Sequence, residues 1–207
     1  MSQKVFLFVG IQGSGKGTQA KLVSEEKGFC HISTGDLFRS LSGKLKEKVD
    51  SYINQGNLVP DDLVLEMVKE RISKPDCQKG IILDGFPRNI YQSSELDKIL
   101  KVTKVIEIKI SDEEALKRLS GRRVCSVCKG GYNIYTAPKP KKENICDKCG
   151  GKLIQREDDN IEAIKKRIVT YHKDTKPILD YYKDKLVSIN GERDIDVIEK
   201  ELIKILN

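Results

Sequence analysis

At 207 residues, the chain is long enough to bury one sizeable hydrophobic core, with room for small inserted subdomains. Only 38% of its residues are hydrophobic, and no apolar run is long enough for a membrane-spanning helix or a signal peptide, so we expect a cytoplasmic protein. The net charge of +7 is spread along the chain, apart from a cluster at residues 139–142, and favours a lysine-rich surface over a nucleic-acid interface.

The first motif is a glycine-rich loop at residues 10–18, G-I-Q-G-S-G-K-G-T. An apolar run at 5–9 predicts a buried strand before it, and residues 19–23 predict a helix after it, which is the context of a phosphate-binding loop. Glycines let backbone N–H groups turn toward an anion, and the helix N-terminus adds partial positive charge. Lys16 offers a full charge to terminal phosphates, and Thr18 offers a hydroxyl to Mg²⁺. A glycine-rich turn with a chance lysine is the alternative.

The helix after this loop is predicted to end near Lys27, because Gly28 is a helix stop signal. Residues 29–32 predict a second strand. Within it, Cys30 is interpreted as a buried structural thiol, and His31 has no visible partner and is assigned no chemistry.

Residues 33–39, S-T-G-D-L-F-R, predict a turn that leads into a helix reaching Gln55 and ending at Gly56. Apolar residues at near-helical spacing support that helix: Leu41, Leu45, Val49 and Ile53. Asp61 is the candidate N-cap of a following helix over residues 63–72.

A second motif, G-I-I-L-D-G-F-P-R, occupies residues 80–88. It predicts an apolar strand that ends in Asp84, as in nucleotide-hydrolysing enzymes whose acid holds Mg²⁺; a chance D-G turn is the alternative. Cys77, just before the strand, is interpreted as incidental. Residues 105–110 predict another strand, and S-D-E-E at 111–114 predicts a capping box for a helix reaching about Ser120.

Four cysteines are spaced as two C-x-x-C pairs, Cys125, Cys128, Cys146 and Cys149. This spacing predicts a four-thiolate structural zinc site, with a redox-active pair as the alternative. Short strands are expected around it at residues 132–138 and 153–156. A segment this short cannot bury a core of its own, and a bound metal would supply folding energy to it.

Further helices are predicted at residues 161–172, where His172 is expected to be exposed, and at 178–182, after an interruption at 175–177. A last strand is predicted at 186–189, and Asp194 is expected to cap the final helix. The alternation of strands and helices favours an α/β fold.

Together these motifs resemble the adenylate kinases, nucleoside monophosphate kinases whose long form carries a zinc-binding lid. Gly17 between the lysine and Thr18, S-T-G-D, D-G-F-P-R-x-x-x-Q, G-R-R, the cysteine pairs and R-x-D-D occur in that family's order over essentially the whole chain. The resemblance implies an α/β fold: a P-loop NTPase-type doubly wound five-stranded parallel sheet with an inserted helical monophosphate-binding subdomain and a zinc-ribbon lid.

The implied boundaries are residues 1–32, 63–121 and 160–207 for the core, 33–62 for the acceptor segment and 122–159 for the lid segment. The stretch between Arg39 and Gly56 is a few residues shorter than the family form, so its helix lengths stay open.

The implied reaction is reversible phosphoryl transfer from MgATP to AMP giving two ADP, in a monomer that binds neither nucleic acid nor membranes. The implied catalytic residues are Lys16, Arg88, Arg122, Arg156 and Arg167. The implied ATP-binding residues are Gly13, Ser14, Gly15, Lys16, Gly17, Thr18, Arg118, Arg122, Gly131, Tyr132 and Arg193. The implied AMP-binding residues are Thr34, Arg39, Asn57, Leu58, Val59, Gly85, Phe86, Pro87, Arg88, Gln92, Arg156 and Arg167. Asp84 would hold Mg²⁺ through water, the four cysteines would hold structural zinc, and Asp158 and Asp159 would fasten the end of the lid.

Three alternatives remain. A UMP/CMP-type or other monophosphate kinase usually carries alanine in place of Thr34 and differs at the Gln92 position. A zinc-ribbon nucleic-acid-binding protein would leave the phosphate loop, Asp84 and Arg88 unexplained. A GTPase switch would need an N-K-x-D motif, which the sequence lacks.

Overall fold

The computed structural model describes residues 3–206, and its main feature is a parallel sheet. The sheet strands are β1 (Lys4–Val9), β2 (Cys30–Ser33), β3 (Gly80–Asp84), β4 (Lys104–Lys109) and, later in the chain, β8 (Leu186–Asn190). Within the described range these five strands are ordered β2-β3-β1-β4-β8, and every pairing is parallel. This confirms the predicted doubly wound α/β fold. Residues 1, 2 and 207, at the ends of the predicted core segments, lie outside the described residues.

The central strands are buried on both faces, which is why they are almost continuously apolar. Val5, Leu7 and Val9 of β1 contribute to one hydrophobic cluster, and Phe6 and Phe8 contribute to the cluster on the opposite face. Helices cover both clusters, so the carboxyl ends of the strands remain available at one edge of the sheet.

The covering helices are α1 (Lys16–Lys27), α4 (Asp61–Ile72), α5 (Ile90–Asp97), α6 (Asp112–Gly121), α8 (Pro177–Tyr181) and α9 (Ile195–Ile205). α1 ends at Gly28, whose φ of 63° is left-handed, as predicted. α6 begins after Ser111, whose Oγ accepts a hydrogen bond from Glu114 N at 3.2 Å, which confirms the N-cap. The reciprocal bond of the predicted capping box does not form, because Ser111 N donates to Glu192 Oε1 at 2.9 Å. Among the described helices, none is both long and apolar enough to span a membrane.

The acceptor segment contains two helices, α2 (Thr34–Ser40) and α3 (Gly43–Ile53), so the prediction of one helix reaching Gln55 is wrong. Leu41 and Ser42 are extended, with ψ values of 159° and 167°. Gly43 follows with a φ of 62°. The pattern of apolar residues continues across this break, but serine and glycine are poor helix formers and the chain turns there.

α4 starts at Asp61, two residues earlier than predicted, and Pro60 occupies its N-cap position without a side-chain hydrogen bond. The prediction that Asp61 caps this helix is therefore wrong. Its carboxylate instead bonds to side chains at the start of α5.

The lid segment forms a second sheet of β5 (Arg122–Cys125), β6 (Gly131–Asn133) and β7 (Leu153–Ile154). These antiparallel strands are ordered β6-β5-β7, and they confirm the small strands expected around the cysteines, in shorter form. Their hydrophobic cluster consists of Cys125, Tyr132, Cys146 and Leu153. A cluster in which half the members are potential metal ligands offers little apolar burial of its own.

After the lid, α7 (Ile161–Thr170) runs into a π-helical turn, Tyr171–Thr175, which leads directly into α8. Lys176 keeps helical angles of −56° and −36°, so the predicted interruption at 175–177 is wrong. π-turns of this kind commonly lie near functional sites.

Cys30 and Cys77 form a disulfide, with Cα atoms 4.8 Å apart. Both residues are buried, and the expectations of a free structural thiol and an incidental cysteine are wrong. Parallel pairing of β2 with β3 places Cys30 opposite Ile81, close to the 3₁₀ turn that contains Cys77. A separation of 47 residues hides this proximity in the sequence.

Candidate active site

The glycine-rich loop joins β1 to α1 at the carboxyl edge of the main sheet. Gly13 and Gly15 have φ values of 88° and 95°, which L-residues rarely adopt. The loop is closed by a hydrogen bond from Ser14 N to Ile11 O at 3.1 Å. This conformation, followed directly by a helix N-terminus, suits a phosphate group.

Lys16, the first residue of α1, folds back over the loop, and its Nζ donates to Ile11 O at 3.0 Å. Burial lowers the pKa of Lys16 to about 8; the charge of Asp84 opposes this shift, and that of Arg88 adds to it. An ammonium in such surroundings is stabilised by any anion that binds beside it.

Asp84 ends β3 with its side chain largely buried beside the loop. A Cβ atom on Gly17 would lie 3.1 Å from Asp84 Oδ2, so this position of the loop leaves room only for glycine unless the carboxylate moves. His31 Nε2 lies 3.6 Å from the same oxygen, although the sequence had suggested no partner for this histidine. A carboxylate held next to Lys16 is a suitable oxygen donor for Mg²⁺.

The structure brings the five predicted catalytic side chains into one electrostatic cluster. Burial, and then the neighbouring charges of Arg122 and Arg39, lowers the pKa of Arg156 to about 9. Burial also lowers the pKa of Arg88, with Arg167 as the next cause. Guanidinium groups keep their protons at physiological pH, so this cleft carries concentrated positive charge that a polyanion would neutralise.

Two acids counter part of this charge at the end of the lid. Arg122 forms a bidentate pair with Asp159, at 2.7 and 2.6 Å. Arg167 Nη1 pairs with Asp158 Oδ2 at 3.2 Å and donates to Asp159 Oδ1 at 3.1 Å. The acids therefore tie the lid arginine Arg122 to Arg167 on α7, at the junction of lid and core.

A second group of predicted residues lines the carboxyl ends of β2 and β3. The buried Thr34 hydroxyl donates to Gly85 O at 2.9 Å, and Arg88 Nε donates to the same carbonyl at 2.8 Å. Gln92 is 2% exposed and its Oε1 accepts from Arg88 N at 2.7 Å. Arg39 is exposed and pairs with Asp36 at 2.7 Å.

Other predicted acceptor-site residues lie in the connections beside this group. Val59, Phe86 and Pro87 are buried, whereas Asn57 and Leu58 are half-buried in the turn between α3 and α4.

Arg118 and Arg193, the predicted ATP-binding arginines outside the cleft, both contact the turn that follows β8. Arg118 Nη1 donates to Gly191 O at 2.9 Å, and Arg193 Nε donates to Asn190 O at 3.2 Å. Both also pair with glutamates, Arg118 with Glu114 and Arg193 with Glu201. Gly17 and Thr18 are exposed in the first turn of α1, and Gly131 is exposed on β6. Unlike these exposed residues, the predicted ATP-binding residue Tyr132 has its ring buried in the cysteine cluster.

The four lid cysteines converge, with their Sγ atoms all within 4.8 Å of one another. The Cys125–Cys149 and Cys128–Cys146 sulfur pairs are each 3.5 Å apart. Zinc–sulfur bonds of about 2.3 Å in a tetrahedron require sulfur atoms roughly 3.8 Å apart, so the cluster fits that ion. A hydrogen bond from the Tyr132 hydroxyl lowers the pKa of Cys146 to about 6, which favours a thiolate ligand.

Two contacts of this site could not be found from local sequence patterns. Asp61 bonds to Gln92 across 31 residues, and His31 lies beside Asp84 across two strands of the sheet. The position of His31 at the end of a predicted parallel strand was the only available signal for the second contact.

Comparison with known proteins agrees with these features. A family model described as adenylate kinase matches residues 8–187. The chain is 48% identical over 211 residues to an adenylate kinase of Acetivibrio thermocellus, covering 97% of each chain. It is 46% identical over 210 residues to one from Caldicellulosiruptor bescii, again covering 97% of each. Against one from Archaeoglobus fulgidus, it is 45% identical over 210 residues, covering 97% of this chain and 96% of the relative. With a phosphate-binding loop, a cationic cleft and a four-cysteine insert in one α/β fold, the chain belongs to the adenylate kinase family.

Proposed function

We propose that this protein transfers the terminal phosphoryl group of MgATP to AMP, giving two ADP, and catalyses the reverse reaction. The observation that carries the proposal is the meeting of Lys16 with arginines from remote segments in one buried cleft. A single phosphate group does not need so many cations, whereas two nucleotides placed end to end bring several phosphates into the same space.

The chemistry requires the two nucleotides to be aligned and the transferred charge to be neutralised. The glycine loop and Lys16 bind the donor phosphates. Arg88 contacts the acceptor phosphate, and Arg122, Arg156 and Arg167 contact the oxygens of the migrating group. Planar guanidinium groups suit this task because each can hold two oxygens at once.

The lid supplies the water exclusion that transfer needs. Arg122 and Arg156 lie at the two ends of the lid segment, so they complete the cation cluster only when the lid covers the cleft. Without closure, water would compete with AMP for the phosphoryl group.

Two metals belong to the proposal. Mg²⁺ bound with ATP neutralises phosphate oxygens, and Asp84 and Thr18 are the residues that would hold it, Asp84 through water. Zinc bound by Cys125, Cys128, Cys146 and Cys149 has no open position for a substrate, so its role is structural. In this proposal, residues 33–62 hold AMP, residues 122–159 form the lid, and the remaining segments form the core.

Gln92 and Thr34 select the acceptor base, with the turn at Asn57, Leu58 and Val59 lining its pocket. The other predicted contacts with ATP come from Arg118, Gly131, Tyr132 and Arg193, and those with AMP from Arg39, Gly85, Phe86 and Pro87. We further propose a cytoplasmic monomer, because one copy carries both sets of residues and the substrates are cytoplasmic metabolites.

Steady-state assays with MgATP and each of AMP, CMP, UMP and GMP test the choice of acceptor. We expect kcat/KM for AMP to exceed the others by on the order of 10² or more, because buried polar groups matched to one base reject the others. A higher kcat/KM for CMP or UMP would assign the protein to another monophosphate kinase activity.

A further inference from the structure

We propose that Asp61 is a positioning residue that sets acceptor specificity by fixing the orientation of the Gln92 side-chain amide. The inference rests on the proposed function, in which Gln92 contacts the base of the acceptor nucleotide. Asp61 itself lies on α4, outside the cation cluster.

The Gln92 amide is held by a partner at each end. Its Nε2 donates to Asp61 Oδ1 at 2.6 Å, and its Oε1 accepts from Arg88 N at 2.7 Å. A carboxylate can only accept hydrogen bonds and a backbone N–H can only donate one, so the two partners agree on a single orientation. Because Gln92 is almost fully buried, water does not compete for these bonds.

Asp61 is in turn held in place by Asn89. The Asn89 Nδ2 donates to Asp61 Oδ1 at 3.0 Å and to Oδ2 at 3.2 Å. Asn89 also caps α5, its Oδ1 accepting from Gln92 N at 2.8 Å. The first turn of α5 and the first residue of α4 thus form one hydrogen-bonded unit that carries the specificity side chain.

Orientation matters because an amide has a donor end and an acceptor end. With one bond made at each end, Gln92 has one N–H and one oxygen lone pair left, in a fixed order. Adenine has an acceptor at N1 beside an amino donor at C6, whereas a 6-oxopurine has a donor at N1 beside an acceptor at C6. An amide free to turn over could pair with either base, but a fixed amide pairs with only one.

The test compares AMP with IMP, which differ only at this edge of the base. In Asp61→Asn, the new amide can donate as well as accept, so only Arg88 N still dictates which end of Gln92 faces which partner, and the orientation loses one of its two constraints. We expect KM for AMP to rise roughly tenfold, as for the loss of one hydrogen bond to a charged partner, and the AMP-over-IMP ratio of kcat/KM to fall by a similar factor. We expect kcat and KM for MgATP to stay within about twofold of wild type, since the cation cluster is unchanged.

Asp62→Asn is the matched control, because Asp62 is exposed in the same first helical turn and its change removes the same charge. Asp61→Ala, which removes the carboxylate without adding a donor, should also raise KM for AMP. Gln92→Ala should abolish the AMP-over-IMP preference. In that background, Asp61→Asn should cause no further change in KM for AMP or in the AMP-over-IMP ratio.

The inference is overturned if Asp61→Asn matches Asp62→Asn in both KM for AMP and base preference. It is also overturned if Asp61→Asn lowers kcat and melting temperature while the AMP-over-IMP ratio stays at the wild-type value, because Asp61 would then be purely structural. In either case, ADP formation from AMP by the wild-type protein leaves the proposed function standing. A wild-type protein that forms no ADP from AMP defeats the proposed function instead.

Discussion

The parallel sheet of the core and the antiparallel sheet of the lid both direct arginines to the same cleft, but they are stabilised by different means. The core strands are buried between two large hydrophobic clusters. The lid strands share a cluster of four residues, two of which belong to the four-cysteine group that could hold a metal ion. Apolar burial therefore stabilises the core half of the site, whereas the lid half has little apolar burial and would depend on a metal bound by its four thiolates.

Replacing Lys16 should separate catalysis from stability in the core and give the largest effect. In Lys16→Met we expect kcat to fall on the order of 10³-fold, because the donor phosphates lose their buried counter-charge. The melting temperature should stay level or rise, since a cation is removed from among buried arginines. Lys21→Met, at an exposed position of the same helix, is the control and should match wild type. A kcat within tenfold of wild type for Lys16→Met would count against a phosphate-binding role.

Removing the lid metal should damage activity while sparing the core. In Cys128→Ser, at an exposed ligand position, we expect metal content to fall and activity to drop by at least about tenfold. Limited proteolysis should cut within residues 122–159, and circular dichroism should show the core helices intact. Ser126→Ala in the same loop is the control. Full activity and protease resistance in a verified metal-free sample would contradict the metal-dependent lid.

The Cys30–Cys77 disulfide should affect stability with little effect on catalysis. It closes a loop of 47 residues. The lost chain entropy of the unfolded state corresponds to a stabilisation of about 4 kcal/mol, which raises the melting temperature by roughly 10 °C. Cys77→Ser should therefore have a lower melting temperature than wild type. Its kcat at 25 °C should stay within about twofold of wild type, because the disulfide lies at the amino ends of β2 and β3, away from the cleft. A reductant should lower the melting temperature of the wild type and not that of the variant. Equal melting of both proteins under oxidising conditions would show that the bond contributes nothing.

The smallest expected effect concerns a contact between the acceptor segment and the lid. Asn54 Nδ2 donates to Glu157 Oε2 at 3.1 Å on the surface. In Asn54→Ala we expect unfolding free energy within about 0.5 kcal/mol of wild type and KM values raised by about twofold or less. Ser51→Ala, on the same helix, is the control. A tenfold loss of kcat would make this contact a much stronger closure element than its exposure suggests.

The sequence was sufficient for features that depend on neighbouring residues. The phosphate loop, the strand ending in Asp84 and the cysteine spacing each combine a local pattern with a local chemical requirement, and the structure brings each into the expected element. The alternation of apolar runs with helical patterns indicated an α/β core, and the resemblance to the adenylate kinases implied its five-stranded parallel sheet.

Features that depend on distant partners were missed. Asp61 has the residue type and the sequence position of a helix cap, but in the structure its carboxylate accepts a hydrogen bond from Gln92. Cys30 and Cys77 look like single cysteines until strand pairing places them together. The break at Ser42 also escaped the periodicity, because apolar spacing reports which face is buried and carries no information on an extended residue within the run.

The most direct test of two-nucleotide transfer uses MgATP with ¹⁵N-labelled AMP and mass spectrometry of the products. If the cleft aligns the two nucleotides, each turnover gives one unlabelled ADP from ATP and one labelled ADP from AMP, in equal amounts and with no release of inorganic phosphate. Unlabelled ADP accompanied by inorganic phosphate, with the labelled AMP unchanged, would mean that water accepts the phosphoryl group and that the cleft does not join two nucleotides.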